Sequence, residues 1–307
     1  MNRVIVILGP TAVGKTALSL TLAERLGTEI ISGDSMLVYR GFDIGSAKPS
    51  KEEQSRVPHH LIDICDPWED YNVTDFQREA GTWIKRLNAA GKIPILAGGT
   101  GLYVKALLEG YEFNETEGHD DYRRELERLG EEKGHAYVHA MLRDVNPEAA
   151  ERLHENDFRR IIRALEVHHF GGERISQSKR GLIYDAFVIG LTRDRAKLYE
   201  RINQRVDLMM ALGFEDEVRR LLDSGITRDM PAMKGIGYRE MGAYFAGEMT
   251  CEEAVELIKK NTRHFAKRQL TWYRKMPYIH WYSIDDRTDN ELLQHVLQDL
   301  AGFSITI

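Results

Sequence analysis

A chain of 307 residues, 42% hydrophobic and 29% charged, can bury one large core or two modest ones, at about 150 residues per domain. Its formal net charge of −6 excludes a globally basic nucleic-acid binder, so a polyanion site would have to be a local cluster. Cys65 and Cys251 fit neither a disulfide framework nor a metal spacing, and no leader or 18-residue apolar run is visible; a cytoplasmic protein without membrane contact is expected.

The chain opens on "RVIVILGP", a buried strand ended by Gly-Pro, and "GPTAVGKT", Gly9 to Thr16, fits the phosphate-loop pattern directly after it. A helix is expected over "KTALSLTLAERLG", with Gly27 as its C-cap. A short strand, "EIISGDSM", an amphipathic helix, "FQREAGTWIKRLNAAGK", and a buried strand, "IPILAGGTG", follow. This alternation argues for an α/β fold, a P-loop parallel sheet core with helices on both faces. Ligands of such sheets bind beyond the carboxyl ends of the strands, where Gly9–Thr16, Asp34–Ser35 and Gly98–Gly101 would converge.

From about Glu115 the sequence turns charged and helical in period, through "YRRELERLGEEKGHAYVHAMLRDVNPEAAERL" and "DFRRIIRALEVHHF". An inserted all-helical domain is expected over 115–181, with the core formed by 1–114 and 182–307. The core resumes with the strand "DAFVIGLT", continues mostly helical, and ends on a last strand, "YIHWYSID".

Four clusters carry candidate chemistry. The loop Gly9, Pro10, Thr11, Ala12, Val13, Gly14, Lys15 and Thr16, through its backbone N–H groups and the following helix N-terminus, makes an anion site. Lys15 adds a charge and Thr16 can ligand Mg²⁺. Hydrolysis of ATP or GTP needs a metal-binding acid at a buried strand end and a residue to orient water, yet "IPILAGGTG" ends in glycines. Asp34 offers a general base or an N-cap, and Thr100 offers a hydroxyl in a turn whose glycines let a ligand approach. Lys259 to Lys275 holds seven Lys or Arg and no acid, interleaved with Phe265, Trp272 and Tyr273. Arg159, Arg160 and Arg163 form a second basic cluster, and Arg195, Lys197, Arg201 and Arg205 a third. Basic groups with aromatics suit phosphate contact and base stacking. His59 and His60 read equally as loop or as catalytic histidines, and Met209 and Met210 as helix core.

Together "GPTAVGKT", "DSMLVYRGFDIGSAKP", "PHHLIDICDP", "GGTGLYVKALLEG", "LYERINQRVDLMM", "KGIGYRE" and "TRHFAKRQLTWYR" resemble the bacterial tRNA dimethylallyltransferase family across residues 9 to about 274. The resemblance implies transfer of a dimethylallyl group from dimethylallyl diphosphate to N6 of the adenine immediately 3′ of the anticodon, in tRNAs reading codons that begin with U. It implies Asp34 as general base, with Thr100 at the tRNA substrate and Ser35, Met36 and Leu37 in the same base-contacting stretch. Thr11 to Thr16 and Arg205 would hold the diphosphate. Arg123 and the segment Phe158, Arg159, Arg160, Ile161 and Ile162 would contact the tRNA anticodon arm. Mg²⁺ is the implied cofactor, and a monomer is expected. Leu37 stands where the family often has Gln, and Gly171 departs from a usual Thr-Gly pair. A P-loop kinase of a small metabolite or nucleoside using ATP remains the rival on the loop alone, as does an RNA-binding protein whose loop senses nucleotide; ATP binding in this loop stays open beside prenyl transfer.

Overall fold

Val4 to Leu8 are all completely buried, and their alternation explains why the strand reads as one apolar run. Ile5 and Ile7 enter one core, while Val4, Val6 and Leu8 enter a second on the opposite face of the sheet. The computed structural model describes residues 1–113, 119–171, 181–285 and 287–302. In chain order it runs β1 (Arg3–Leu8), α1 (Lys15–Leu26), β2 (Ile30–Ser32), α2 (Lys51–Arg56), β3 (His59–His60), α3 (Val73–Ala89), β4 (Ile95–Gly98) and α4 (Gly101–Glu109). Four helices follow, α5 (Asp120–Lys133), α6 (His135–Val145), α7 (Pro147–Arg152) and α8 (Phe158–Phe170). Then come β5 (Asp185–Thr192), α9 (Arg195–Ala211), α10 (Phe214–Asp223), α11 (Tyr238–Phe245), α12 (Cys251–Tyr273), β6 (Ile279–Ser283) and α13 (Asp289–Gly302).

All six strands are parallel, in the order β3-β2-β4-β1-β5-β6. The sheet carries α1 and α13 in one core and α3 and α4 in the other. The strand β3 was expected as loop. It is a two-residue edge strand, and His60 bonds Glu29 at 2.7 Å and stacks on Trp83 at 3.6 Å. A strand this short shows no periodicity.

Met1–Glu109 and the chain from Arg180 onward form one compact unit, and Gly110–Lys179 a second. The boundary expected at 114/115 lies outside the described residues, and the second was expected at 181/182. The second unit is a helical bundle with a core of Leu126, Val138, Leu142, Ile161, Ile162 and Leu165. No helix of the described residues is long and apolar enough to cross a membrane.

At the carboxyl end of the sheet, β2 and β4 come close enough to demand glycine. A Cβ on Gly98 would lie 2.3 Å from the carbonyl carbon of Gly33. The contact is backbone on backbone, and Gly33 N–H bonds Ala97 O at 2.9 Å, so no side chain can yield. Gly98→Ala is expected to destabilise the protein by about 1–3 kcal/mol through forced separation of the strands. Denaturant unfolding checks it, and a loss below ~0.5 kcal/mol, the scatter of neutral surface changes, would contradict the argument.

Candidate active site

The loop after β1 delivers a helix that starts without a side-chain cap. Gly14 is its N-cap residue, at φ 117, and no side chain bonds the first-turn amides of α1. Those N–H groups are therefore left for an anion. Lys15 Nζ folds back to donate to Gly9 O at 2.9 Å and Pro10 O at 3.0 Å. Burial pushes the Lys15 ammonium down to about 8; Asp34 opposes the shift and Arg205 adds to it. A cation held at the edge of ionisation is primed to gain from a dianionic ligand.

Thr11, Ala12, Gly14, Lys15 and Thr16 line a cleft of about 480 Å³, within the range of small-molecule sites. Gly9, Pro10 and Val13, expected among the phosphate-binding residues, serve differently. All three are buried, and Pro10 has no N–H to give. Pro10 accepts from Val13 N–H at 3.3 Å, and Val13 enters the core beneath the loop. These residues shape the loop from below.

Asp34 lines the same cleft, two residues past β2. Its Oδ1 accepts Met36 N–H at 2.9 Å. Burial raises its pKa above the ordinary carboxylate value, and the Met36 amide and the Lys15 charge only partly offset it. Thr100 Oγ1 accepts Ser35 N–H at 3.0 Å and lies 3.3 Å from Ser35 Oγ, so the Gly98–Gly101 turn and the Asp34 segment are bonded to each other. Leu37 lines the cleft, whereas Met36 packs against Gly235 and a buried cluster that includes Val38, Phe42, Phe214 and Tyr238. Arg201, Gln204, Arg205 and Leu208 of α9 form another wall, and Arg201 Nε donates to Ala12 O at 3.2 Å. The structure thus brings Asp34, the phosphate loop and Arg205 into one cleft, with the Thr100 hydroxyl bonded to the Asp34 segment behind it.

Sequence reasoning missed the group that joins these parts. Gln269 is buried; its Oε1 accepts Thr11 N–H at 2.9 Å and its Nε2 donates to Gly99 O at 2.8 Å. One amide side chain ties the phosphate loop to the glycine turn, a task needing both a donor and an acceptor. Tyr273, expected to offer a stacking face, is instead fully buried and donates its hydroxyl to Gly99 O at 2.8 Å. The signal was in the period, since Ala266, Gln269 and Tyr273 are buried at helical spacing within the basic run.

The basic helix also needs correction. α12 begins at Cys251 and carries Glu252, Glu253 and Glu256 in its first two turns, so only its second half is free of acids. Lys259 bonds Asp207 at 2.8 Å and Glu256 at 2.9 Å. His264, Lys267, Arg268, Thr271, Trp272 and Lys275 line an open depression. Trp272 fills the space a Cβ on Gly101 would take, 2.3 Å away, and remains 39% exposed. The surviving basic face therefore abuts the turn that carries Thr100.

Within the helical unit, the expected tRNA contacts divide. Glu166 is completely buried and accepts from Arg123 Nε at 2.9 Å and Arg163 Nη1 at 2.5 Å. Burial works against its charge, yet the bonds from Arg163 and Arg123 hold its pKa below the usual value. Ile161 and Ile162 face the unit's own core, and Phe158 is wedged between Gly130 and His135. The side chains of Ile161 and Ile162 are buried in the bundle, and that of Phe158 is partly buried against it. Arg159 and Arg160 are exposed.

Residues 37–276 match the model of the IPP transferase family, and residues 2–63 match that of the isopentenyl transferases. The chain belongs to the IPP transferase family. It is 46% identical over 305 residues to the tRNA dimethylallyltransferase of Bacillus cytotoxicus, covering 98% of this chain and 95% of the relative. It is 48% identical over 289 residues to that of Geobacillus thermodenitrificans, covering 93% and 91%. Among solved structures it resembles the tRNA isopentenylpyrophosphate transferase of Bacillus halodurans, with TM-score 0.75 and 43% identity over 99% of this chain and 97% of the other. A eukaryotic dimethylallyltransferase acting on tRNA is similar at TM-score 0.79 and 26% identity, over 100% and 81%. Family membership accounts for a phosphate loop without hydrolytic equipment, and the kinase reading of that loop is set aside.

Proposed function

We propose that this member of the family transfers a dimethylallyl group from dimethylallyl diphosphate to N6 of the adenine immediately 3′ of the anticodon, in tRNAs reading codons that begin with U. It would act as a cytoplasmic monomer. The observation that carries this reading is the joint placement of Asp34 and the phosphate loop in one cleft, with an exposed basic face beside the Thr100 turn.

An adenine amine is a weak nucleophile because its lone pair is delocalised into the ring. As the N6–C bond forms and the allylic C–O bond breaks, Asp34 takes the N6 proton, a role worth roughly 10²–10⁴-fold. The diphosphate leaves into the α1 amides, Lys15 and Arg205, which are already oriented for developing charge. Extruding the base from its stack costs a few kcal/mol; Lys267, Arg268 and Lys275 supply phosphate contacts that offset it. Mg²⁺ fits the oxygen donors present, the Thr16 hydroxyl with the Asp34 carboxylate in the same cleft, as an ion held mainly by diphosphate oxygens and water. When bound it would neutralise charge on the leaving diphosphate.

The pH dependence follows from two shifts. Asp34 must be ionised, and its raised pKa moves the acid limb of kcat/KM above the 3.8 of an ordinary Asp. Lys15 must be charged, so kcat/KM for the donor falls as pH rises through about 8. At saturating donor the dianion favours the ammonium, and the alkaline limb of kcat moves upward. A donor kcat/KM with no alkaline fall up to about pH 10, near the ordinary lysine value, would contradict the Lys15 assignment, and an acid limb at or below the ordinary Asp value of 3.8 would contradict that of Asp34. Incubation of the protein with unmodified tRNA and labelled dimethylallyl diphosphate, without ATP, tests the function. Label in the tRNA is expected; unlabelled tRNA together with ATP-dependent phosphorylation of a metabolite would defeat the reading.

A further inference from the structure

Glu217 lies on α10, away from the cleft lining, and is 4% exposed. Its carboxylate gathers four hydrogen bonds. Asp43 N–H and Ile44 N–H donate to Oε2 at 3.1 and 2.7 Å, Gly45 N–H donates to Oε1 at 3.1 Å, and the Tyr238 hydroxyl donates to Oε1 at 2.7 Å. Three successive backbone amides converging on one anion form the kind of concavity that elsewhere holds phosphate. Here a carboxylate of the same chain fills it.

The strap so held runs from Asp43 to Pro49 and has little freedom elsewhere. A Cβ on Gly45 would lie 2.2 Å from Phe214 and 2.6 Å from Tyr238. Lys48, its side chain 2% exposed, donates to Tyr39 O at 2.9 Å and pairs with Asp43 at 2.7 Å and Asp63 at 2.5 Å. The payoff lies at the strap's outer end: Ser46, Ala47 and Pro49 line the cleft together with Thr16, Arg205 and Leu208.

We propose that Glu217 is a positioning residue for the donor site, fixing the strap so that Ser46, Ala47 and Pro49 wall the diphosphate end of the cleft. This rests on the reading of that cleft as the dimethylallyl diphosphate site. The geometry assigns Tyr238 a supporting part, since its hydroxyl orients the carboxylate whose oxygens take the strap amides. Glutamine at 217 would present one acceptor oxygen and turn an N–H donor toward amides that themselves donate.

Glu217→Gln is therefore expected to raise KM for dimethylallyl diphosphate about tenfold, with kcat and KM for tRNA within about threefold of wild type. Amide exchange at residues 43–45 should accelerate about tenfold or more while the sheet strands exchange as before. Tyr238→Phe should move both readouts the same way by about threefold, and carries the test if the first variant does not fold. Unchanged exchange at the strap, or faster exchange with an unchanged donor KM, would overturn the proposal, as would a fall in kcat without a change in KM. Failure of the wild-type protein to use the donor would instead overturn the functional reading, and strap exchange would still decide whether Glu217 clamps it.

Discussion

Replacing Asp34 by Asn is expected to lower kcat for prenyl transfer by about 10²–10⁴-fold, the range of a lost general base, while tRNA affinity stays within about threefold. The substitution keeps the Oδ1 acceptor for Met36 N–H and the side-chain volume, so the segment bonded to Thr100 should hold its shape. What disappears is the capacity to accept the N6 proton. Single-turnover transfer and tRNA binding, measured side by side, check the result. Equal loss in both would assign Asp34 a structural role.

Lys15→Met should cut kcat/KM for the donor by about 10²–10³-fold, the usual cost of one oriented electrostatic group, without lowering thermal stability. The second half of this prediction follows from linkage. Burial lowers the folded-state pKa of Lys15 from 10.5 to about 8. A cation with a depressed pKa penalises folding below the folded-state value, and the penalty disappears only above the unfolded one. At pH 7 the charge therefore opposes folding, offset in part by its bonds to Gly9 O and Pro10 O. Steady-state kinetics and a melting curve test the two halves, and a lower melting temperature would contradict the second. The site trades stability for a charge placed where diphosphate leaves.

The central strands were legible because their middles are continuously buried and apolar, as at Arg3–Leu8 and Asp185–Thr192, and the first ends on Gly-Pro. The phosphate loop was legible because its spacing is dictated by phosphate geometry. Gln269 was not, since a neutral amide inside a basic run carries no signal until the fold turns it toward Thr11 and Gly99. Tyr273 was misassigned because composition cannot tell which face of a helix an aromatic takes; the buried Ala266, Gln269 and Tyr273 stripe decides it. Arg123 and Arg163 read as part of a polyanion surface, yet Glu166, forty-three residues from the first and three from the second, takes both guanidinium groups. The Arg123 pairing, at that range, is invisible in local charge patterns, and so is Glu217 reaching the amides of residues 43–45.

The most direct test of the central claim is the chemical identity and position of the product. Unmodified tRNA whose anticodon begins the reading of a U-initial codon is incubated with the protein, dimethylallyl diphosphate and Mg²⁺, then digested and analysed by mass spectrometry. N6-dimethylallyladenosine is expected at the single position immediately 3′ of the anticodon, forming about 10²–10⁴-fold more slowly with Asp34→Asn. A product at another base, or none from the wild-type protein, would contradict that claim.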